Sequence, residues 1–151
     1  MSALAVKPKM EEFWNFDEVF TLVREFEDGT LPKAQWTHRA HLTVACWYLV
    51  SHPEPEAMLR IREGIKRYNA SQGVVTTKDR GYHETITIFW ARMVRGYLAK
   101  ATLERPLAHI INEMVARYSD KNLPFEYYSC DRLMSCEARM NWMDPDLKLL
   151  P

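Results

Sequence analysis

Three of the five histidines in this chain of 151 residues lie in two short polar segments. His38 and His41 stand three residues apart, and His83 precedes Glu84 about forty residues later. Each segment opens a run of apolar residues that is typical of a buried helix. Titratable side chains at the start of two buried helices are what a small metal site or catalytic site requires.

The spacing of His38 and His41 places both rings on one face of a helix. In the first turn the helix dipole disfavours a charged imidazolium, so the rings stay in the neutral form that metals bind. If the two helices pack side by side with their N-termini together, His83 becomes a third ligand and Glu84 a ligand or general base. Three protein ligands and a water molecule form the usual catalytic metal site. These residues therefore predict one transition-metal ion, Zn or Fe, in an enzyme of hydrolase or oxygenase type that acts on a small molecule.

A second interpretation of the same residues needs no metal. A pair of histidines three residues apart is common by chance, and the segment around Glu84 does not form His-Glu-x-x-His. The histidines would then hold Glu84 and an arginine in a buried polar network, in a module that binds a small ligand or a protein partner. Its pocket would be lined by aromatic residues, namely Trp36, Tyr82, Trp90, Tyr127 and Tyr128. A purely structural network is the third alternative.

A polar segment near the C-terminal end adds candidate substrate-binding residues. Arg132 and Arg139 are seven residues apart, which is two turns of a helix, and bidentate arginines bind carboxylates and phosphates. With Trp36, Tyr82 and Tyr128 they form the predicted substrate-binding set. The alternative pairs both arginines with nearby carboxylates. Cys130, at the start of the same predicted helix, is a further candidate nucleophile.

Periodicity and capping residues predict six helices that position these side chains. The predicted fold is a single-domain, all-α bundle over residues 13–151, preceded by a mobile arm over residues 1–12. A long polar loop at 71–81 delivers the segment with His83. The predicted helices cover residues 16–27, 37–50, 54–68, 83–98, a fifth segment that begins at 106, and 130–141.

The composition excludes several classes of partner. Apolar residues make up 47% of the chain, and the 20 basic and 20 acidic side chains cancel. A neutral chain offers no electrostatic case for nucleic acid or an anionic membrane, and no apolar run approaches the ~20 residues that span a bilayer. Low net charge permits either a monomer or a homodimer. Three cysteines without Cys-x-x-Cys spacing favour a reducing cytoplasm.

Residues 36–146 resemble a family of small, uncharacterised bacterial proteins. Three signatures carry the resemblance: His38-Arg39-Ala40-His41-Leu42, then Tyr82-His83-Glu84-Thr85-Ile86-Thr87, and finally Tyr127-Tyr128-Ser129 with Arg132-Leu133, Ser135 and Ala138-Arg139. The resemblance implies a bacterial origin and one coherent domain. It carries no mechanism, because no activity is established for that family.

Overall fold

A computed structural model describes residues 15–101 and 104–151 of the chain. Within these ranges every regular element is helical, so the predicted all-α fold is confirmed. The predicted arm at residues 1–12 lies outside the described residues. The helices are α1 (Phe16–Asp28), α2 (His38–Ser51), α3 (Glu54–Ser71), α4 (Glu84–Lys100), α5 (Leu107–Arg117), α6 (Pro124–Tyr127), α7 (Cys130–Leu133) and α8 (Cys136–Met140), with a 3-10 turn at Lys33–Gln35 between α1 and α2.

Local capping explains where the long helices begin and end. The side chain of Asn15 accepts a hydrogen bond from the Glu18 amide at the start of α1, and Thr37 caps α2 in the same way. Gly29 ends α1 in the left-handed conformation with a φ of 79°. These signals act within a few residues, which is why the predicted and observed ends of α1 and α2 agree closely.

Helix α2 is the central element of the bundle. It contacts α1, α3, α4 and α5, as its nearly all-round apolar sequence predicts. Helix α1 also packs against α3 at Gly64, where a β-carbon would lie only 2.9 Å from Cε2 of Phe26. The glycine therefore permits this close approach. None of the helices in the described ranges has the length and hydrophobicity needed to cross a membrane.

The prediction of one continuous helix over residues 130–141 is wrong. Two short helices, α7 and α8, occupy the region. The break lies at Ser135, whose hydroxyl donates to the Arg132 carbonyl at 2.7 Å and accepts from the Ala138 amide at 3.1 Å. Serine competes for backbone groups in this way and therefore starts a new helix instead of continuing the old one. Arg132 and Arg139 consequently do not share one helix face.

Candidate functional site

His38 is the first residue of α2 and is half-buried. Its Nε2 lies 2.8 Å from the carbonyl oxygen of Tyr118, so this nitrogen carries the proton and donates it. The ring also meets Trp90 edge to face, with centroids 4.6 Å apart. Loss of water around the ring lowers the pKa of His38 and favours the neutral form. The side chain thus ties the start of α2 to the end of α5.

His41 lies in a half-buried aromatic stack. Its Nδ1 donates to the Thr37 carbonyl at 2.7 Å, and its ring centroid is 3.8 Å from that of Trp36. Trp36 in turn stacks on Phe26 at 4.8 Å. Although part of the ring surface reaches solvent, burial lowers the pKa of His41 to about 4. Trp36, predicted to bind substrate, is thus already engaged by neighbouring rings, and its binding role stays a prediction.

His83 caps the N-terminus of α4 and uses both ring nitrogens. Its Nδ1 accepts a hydrogen bond from the Ile86 amide at 3.1 Å, so Nε2 carries the proton and donates to the Leu133 carbonyl at 2.8 Å. Burial lowers the pKa of His83, and the nearby positive charge of Arg139 lowers it further. The ring is therefore neutral and connects α4 to α7.

The three histidines bond to three different carbonyl groups. Helices α2 and α4 do pack together, but His38 meets α4 at Trp90, seven residues beyond His83 and ~10 Å farther along the helix axis. Among the described residues no three histidine, cysteine, aspartate or glutamate side chains form a group that could hold a metal ion. The structure therefore does not bring the predicted ligands together, and the metal site stays a prediction.

Glu84, the predicted general base, accepts two short hydrogen bonds. Its carboxylate lies 2.9 Å from Nε of Arg62 and 2.6 Å from the hydroxyl of Tyr82. Burial and the adjacent carboxylate raise the pKa of the Tyr82 hydroxyl, which therefore stays a donor. An arginine does bond Glu84, but the hydrogen bonds of His38, His41 and His83 go to backbone groups, so the histidine-held network of the second interpretation stays a prediction. Sequence analysis did not single out Arg62, because its neighbours on α3 are solvated charges.

The two arginines of the predicted substrate site bond to backbone carbonyls. Arg132 donates from Nε to the Asp144 carbonyl at 2.7 Å. Arg139 donates from its guanidinium to the Gly81 carbonyl at 2.9 Å and to the Tyr82 carbonyl at 3.3 Å. Arg139 thereby fixes the loop before α4. Neither arginine lines the cleft described below.

Tyr128 and Thr85 join the C-terminal segment to the core. The buried Tyr128 hydroxyl donates to the Met143 carbonyl at 2.6 Å, and burial raises the pKa of Tyr128 to about 12. Thr85 donates from Oγ1 to the Asn141 carbonyl at 2.7 Å and accepts from the Met143 amide at 3.1 Å. The second signature segment therefore bonds to residues just beyond the third. Cys130, the candidate nucleophile, is exposed at the start of α7.

A cleft of about 1160 Å³ runs between α4 and α5. The two helices are antiparallel there, because the Trp90 ring contacts Tyr118 while the Tyr97 hydroxyl reaches Glu113 at 3.2 Å. Leu123 and Tyr127 close one side of the cleft. The charged lining residues are four cations, Arg92, Lys100, Arg105 and Arg117, and one acid, Glu113. The aromatic lining residues are Tyr97, Tyr118 and Tyr127.

Most of the positive charge in this cleft is uncompensated. Arg105 pairs with Glu113 at 2.5 Å, and this pairing lowers the pKa of the glutamate. Arg92 lies over the Trp142 ring at 4.4 Å, and Arg117 lies 5.8 Å from the Tyr118 ring. In residues 15–101 and 104–151, no carboxylate pairs with these two arginines or with Lys100. The side chains that line the cleft therefore sum to three excess positive charges in a chain whose basic and acidic side chains cancel, and the last residue, Pro151, lines the cleft as well.

Sequence analysis missed this cleft. Its cations lie on solvent-facing positions of separate segments, and each one alone is typical of an ordinary solvated helix face. The signal available in the sequence was Tyr127, which the second interpretation already placed in a pocket. Only the antiparallel packing of α4 and α5 brings the cations and tyrosines together.

Comparisons with family models, curated proteins and solved structures found no match for this chain. The resemblance to the small bacterial family therefore stays an expectation. A function for the chain follows from the geometry of the described residues, chiefly from the histidine and glutamate contacts and from the charged cleft.

Proposed function

We propose that this chain is a metal-free binding module that holds a small anionic molecule in the cleft between α4 and α5. One observation carries the proposal: among the described residues, three cations without carboxylate partners line a concave, tyrosine-walled surface of a protein whose basic and acidic side chains balance overall. A concave surface of one charge sign concentrates the field and attracts a counter-charged ligand. Tyrosines add apolar faces and hydroxyl donors, the usual lining of a ligand pocket.

The groups in the cleft favour binding over catalysis. Glu113 is held by Arg105 and receives a hydrogen bond from Tyr97. Because Arg105 lowers the pKa of Glu113, this carboxylate is a weak base at neutral pH. The remaining polar groups are cations and tyrosine hydroxyls, which donate hydrogen bonds to an anion. Their shared property is recognition of negative charge.

Metal-dependent catalysis at His38, His41, His83 and Glu84 is the second candidate function. One observation favours it: burial lowers the pKa of all three histidines and keeps them in the neutral form that a metal binds. The position of His38 beside Trp90, away from His83, and the use of both His83 ring nitrogens in hydrogen bonds favour the first proposal instead.

The proposal also covers the cellular location, the origin and the oligomeric state of the protein. We infer a cytoplasmic, bacterial protein that is a monomer or homodimer. The three cysteines, Cys46, Cys130 and Cys136, are all unpaired, which suits a reducing compartment.

Fluorescence titration with anilinonaphthalene sulfonate, an aromatic anion, tests the binding proposal. We expect one main site per chain, weakened ~3- to 10-fold by Arg117→Gln, because the substitution removes a charge-assisted hydrogen bond. Lys33→Gln, which removes an exposed lysine far from the cleft, is the matched control and should leave the affinity unchanged.

The uncharged probe phenylnaphthylamine separates charge recognition from apolar adsorption. Its two ring systems match those of the sulfonate, but it lacks the anion, so we expect weak binding that does not respond to Arg117→Gln. Equal binding of both probes to all variants would contradict the proposal. It would place the probes instead on the exposed aromatic surface formed by Phe16, Phe20 and Trp47.

A further inference from the structure

Resting on the proposed function, we infer that the ligand is an elongated, flat molecule with an anionic group at each end. The cations of the cleft are distributed along its length. Arg92 and Lys100 both line the cleft and are eight residues apart on α4, so their backbones are separated by ~12 Å along the helix. A ligand with a single charged group contacts only one of them.

Helix α5 and the loop before it supply a second cation at each end. Because α4 and α5 are antiparallel, with Trp90 against Tyr118 and Tyr97 against Glu113, Arg117 lies at the Arg92 end. Arg105 lies at the Lys100 end, where Glu113 neutralises it. The first end therefore carries two free positive charges and the second carries one. We expect the more highly charged group of the ligand at the Arg92 and Arg117 end.

In the middle of the cleft, the surface of α4 at Gly96 is open. Gly96 lies between Arg92 and Lys100 on the same face of α4, four residues from each. A β-carbon built at Gly96 meets no atom within 4 Å, so the helix leaves free space where a side chain would otherwise project. The Tyr97 and Tyr118 rings, with centroids 6.3 Å apart, border this space. Their faces suit a flat, apolar middle section.

Isothermal titration with three aromatic acids tests the two-ended ligand. The probes are a biphenyl dicarboxylate with its carboxylates at opposite ends, the biphenyl monocarboxylate, and the shorter benzene dicarboxylate. We expect the long diacid to bind ~10-fold tighter than either of the others, because only it reaches both ends. Lys100→Gln should abolish this advantage and leave the monoacid unaffected, since the monoacid occupies the Arg92 and Arg117 end.

Gly96→Leu tests whether the ligand occupies the free space beside Gly96, and it does so without removing a charge. Leucine is a better helix former than glycine and finds free space at this position, so the melting temperature should not fall. Binding of both biphenyl acids should weaken by at least ~10-fold, because the leucine side chain fills the space that the biphenyl rings would occupy. Unchanged binding by this variant would overturn the inference.

The outcomes separate this inference from the proposed function. If the monoacid binds in an Arg117-dependent manner but the long diacid gains nothing, the ligand has one anionic end and the binding module stands. If neither acid responds to Arg117→Gln or Lys100→Gln, both the inference and the proposed function fail.

Discussion

His38, His41 and His83 act as neutral connectors between backbone segments. A neutral imidazole donates from one nitrogen and accepts at the other, and His83 uses both roles in capping α4 and reaching Leu133. The same physical cause, loss of water, keeps all three rings uncharged. Their clustering in the sequence therefore reflects a shared environment at helix starts and does not by itself require a common ligand.

Stability should fall as the pH drops through the range in which histidines of the unfolded chain become protonated. The pKa of His41 is lowered to about 4 in the folded protein, against 6.5 when unfolded, so between these values the unfolded state binds the extra proton. The contribution of neutral His41 to the free energy of unfolding is complete above 6.5, the pKa in the unfolded chain. It is lost as the pH falls toward the folded pKa of about 4. We expect His41 to account for about 1–2 kcal/mol of the loss between roughly pH 7.5 and pH 5, allowing for partial solvent screening.

Urea unfolding of the wild type and of His41→Phe at these two pH values measures the effect. Phenylalanine keeps a ring against Trp36 but has no titrating group, so the pH dependence of the unfolding free energy should become shallower. His52→Phe is a histidine control outside the two signature segments. An identical pH dependence in wild type and His41→Phe would show that the ring titrates normally.

The short helices α6, α7 and α8 depend on contacts with the rest of the protein for their stability. Each is only one turn or slightly more, well below the length at which a helix is stable alone in water. Contacts with the start of α4 hold α7 and the residues that follow α8: Leu133 bonds with His83, and Asn141 and Met143 bond with Thr85. Gly81, just before α4, has a φ of 89°, and a β-carbon there would lie 2.6 Å from Cα of Thr76. The loop that receives Arg139 therefore requires glycine at this position.

Replacing Thr85 with valine should detach the C-terminal segment. Valine has nearly the same shape but leaves the Asn141 carbonyl and the Met143 amide without their partner, at a cost of about 2–3 kcal/mol. Thr87→Val is the matched control, because the Thr87 hydroxyl donates to the His83 carbonyl, which also accepts from the Thr87 amide, so its loss should cost less than about 1 kcal/mol. Urea unfolding and limited proteolysis near residue 141 measure both effects. Equal losses in the two variants would show that the Thr85 contact is dispensable.

Across the whole molecule, α2 forms the centre while the candidate ligand cleft forms between α4 and α5 at the periphery. The three histidines do not line this cleft, although His38 bonds to the carbonyl of Tyr118, a residue that does. Gathering His38, His41 and His83 around one ion would break a hydrogen bond of His83 and shift α2 along α4. The metal prediction thus requires a rearrangement of the bundle, whereas anion binding uses the cleft as it stands.

Elemental analysis of the purified protein, with a thermal melt before and after chelation, tests the metal prediction. We expect well below one Zn or Fe per chain and no change in melting temperature, because His83 uses both ring nitrogens in hydrogen bonds and the three rings form no metal-holding group among the described residues. About one ion per chain, lost on chelation together with stability and absent from His83→Asn, would restore the metal site. Asparagine keeps a capping acceptor at this position, so loss of metal would not simply report a missing helix cap.

The sequence alone determined the helical class and the positions of α1 to α5, because caps, prolines, Gly29 and apolar periodicity act within a few residues. It also pointed to the segments around His38, His83 and Tyr128 that hold the structure together. Only the tertiary structure decided which carbonyl each histidine bonds, where Ser135 divides the last predicted helix, and that Arg92 and Arg117 face one cleft. Those outcomes depend on contacts between residues distant along the chain, and no local pattern specifies which helices become neighbours.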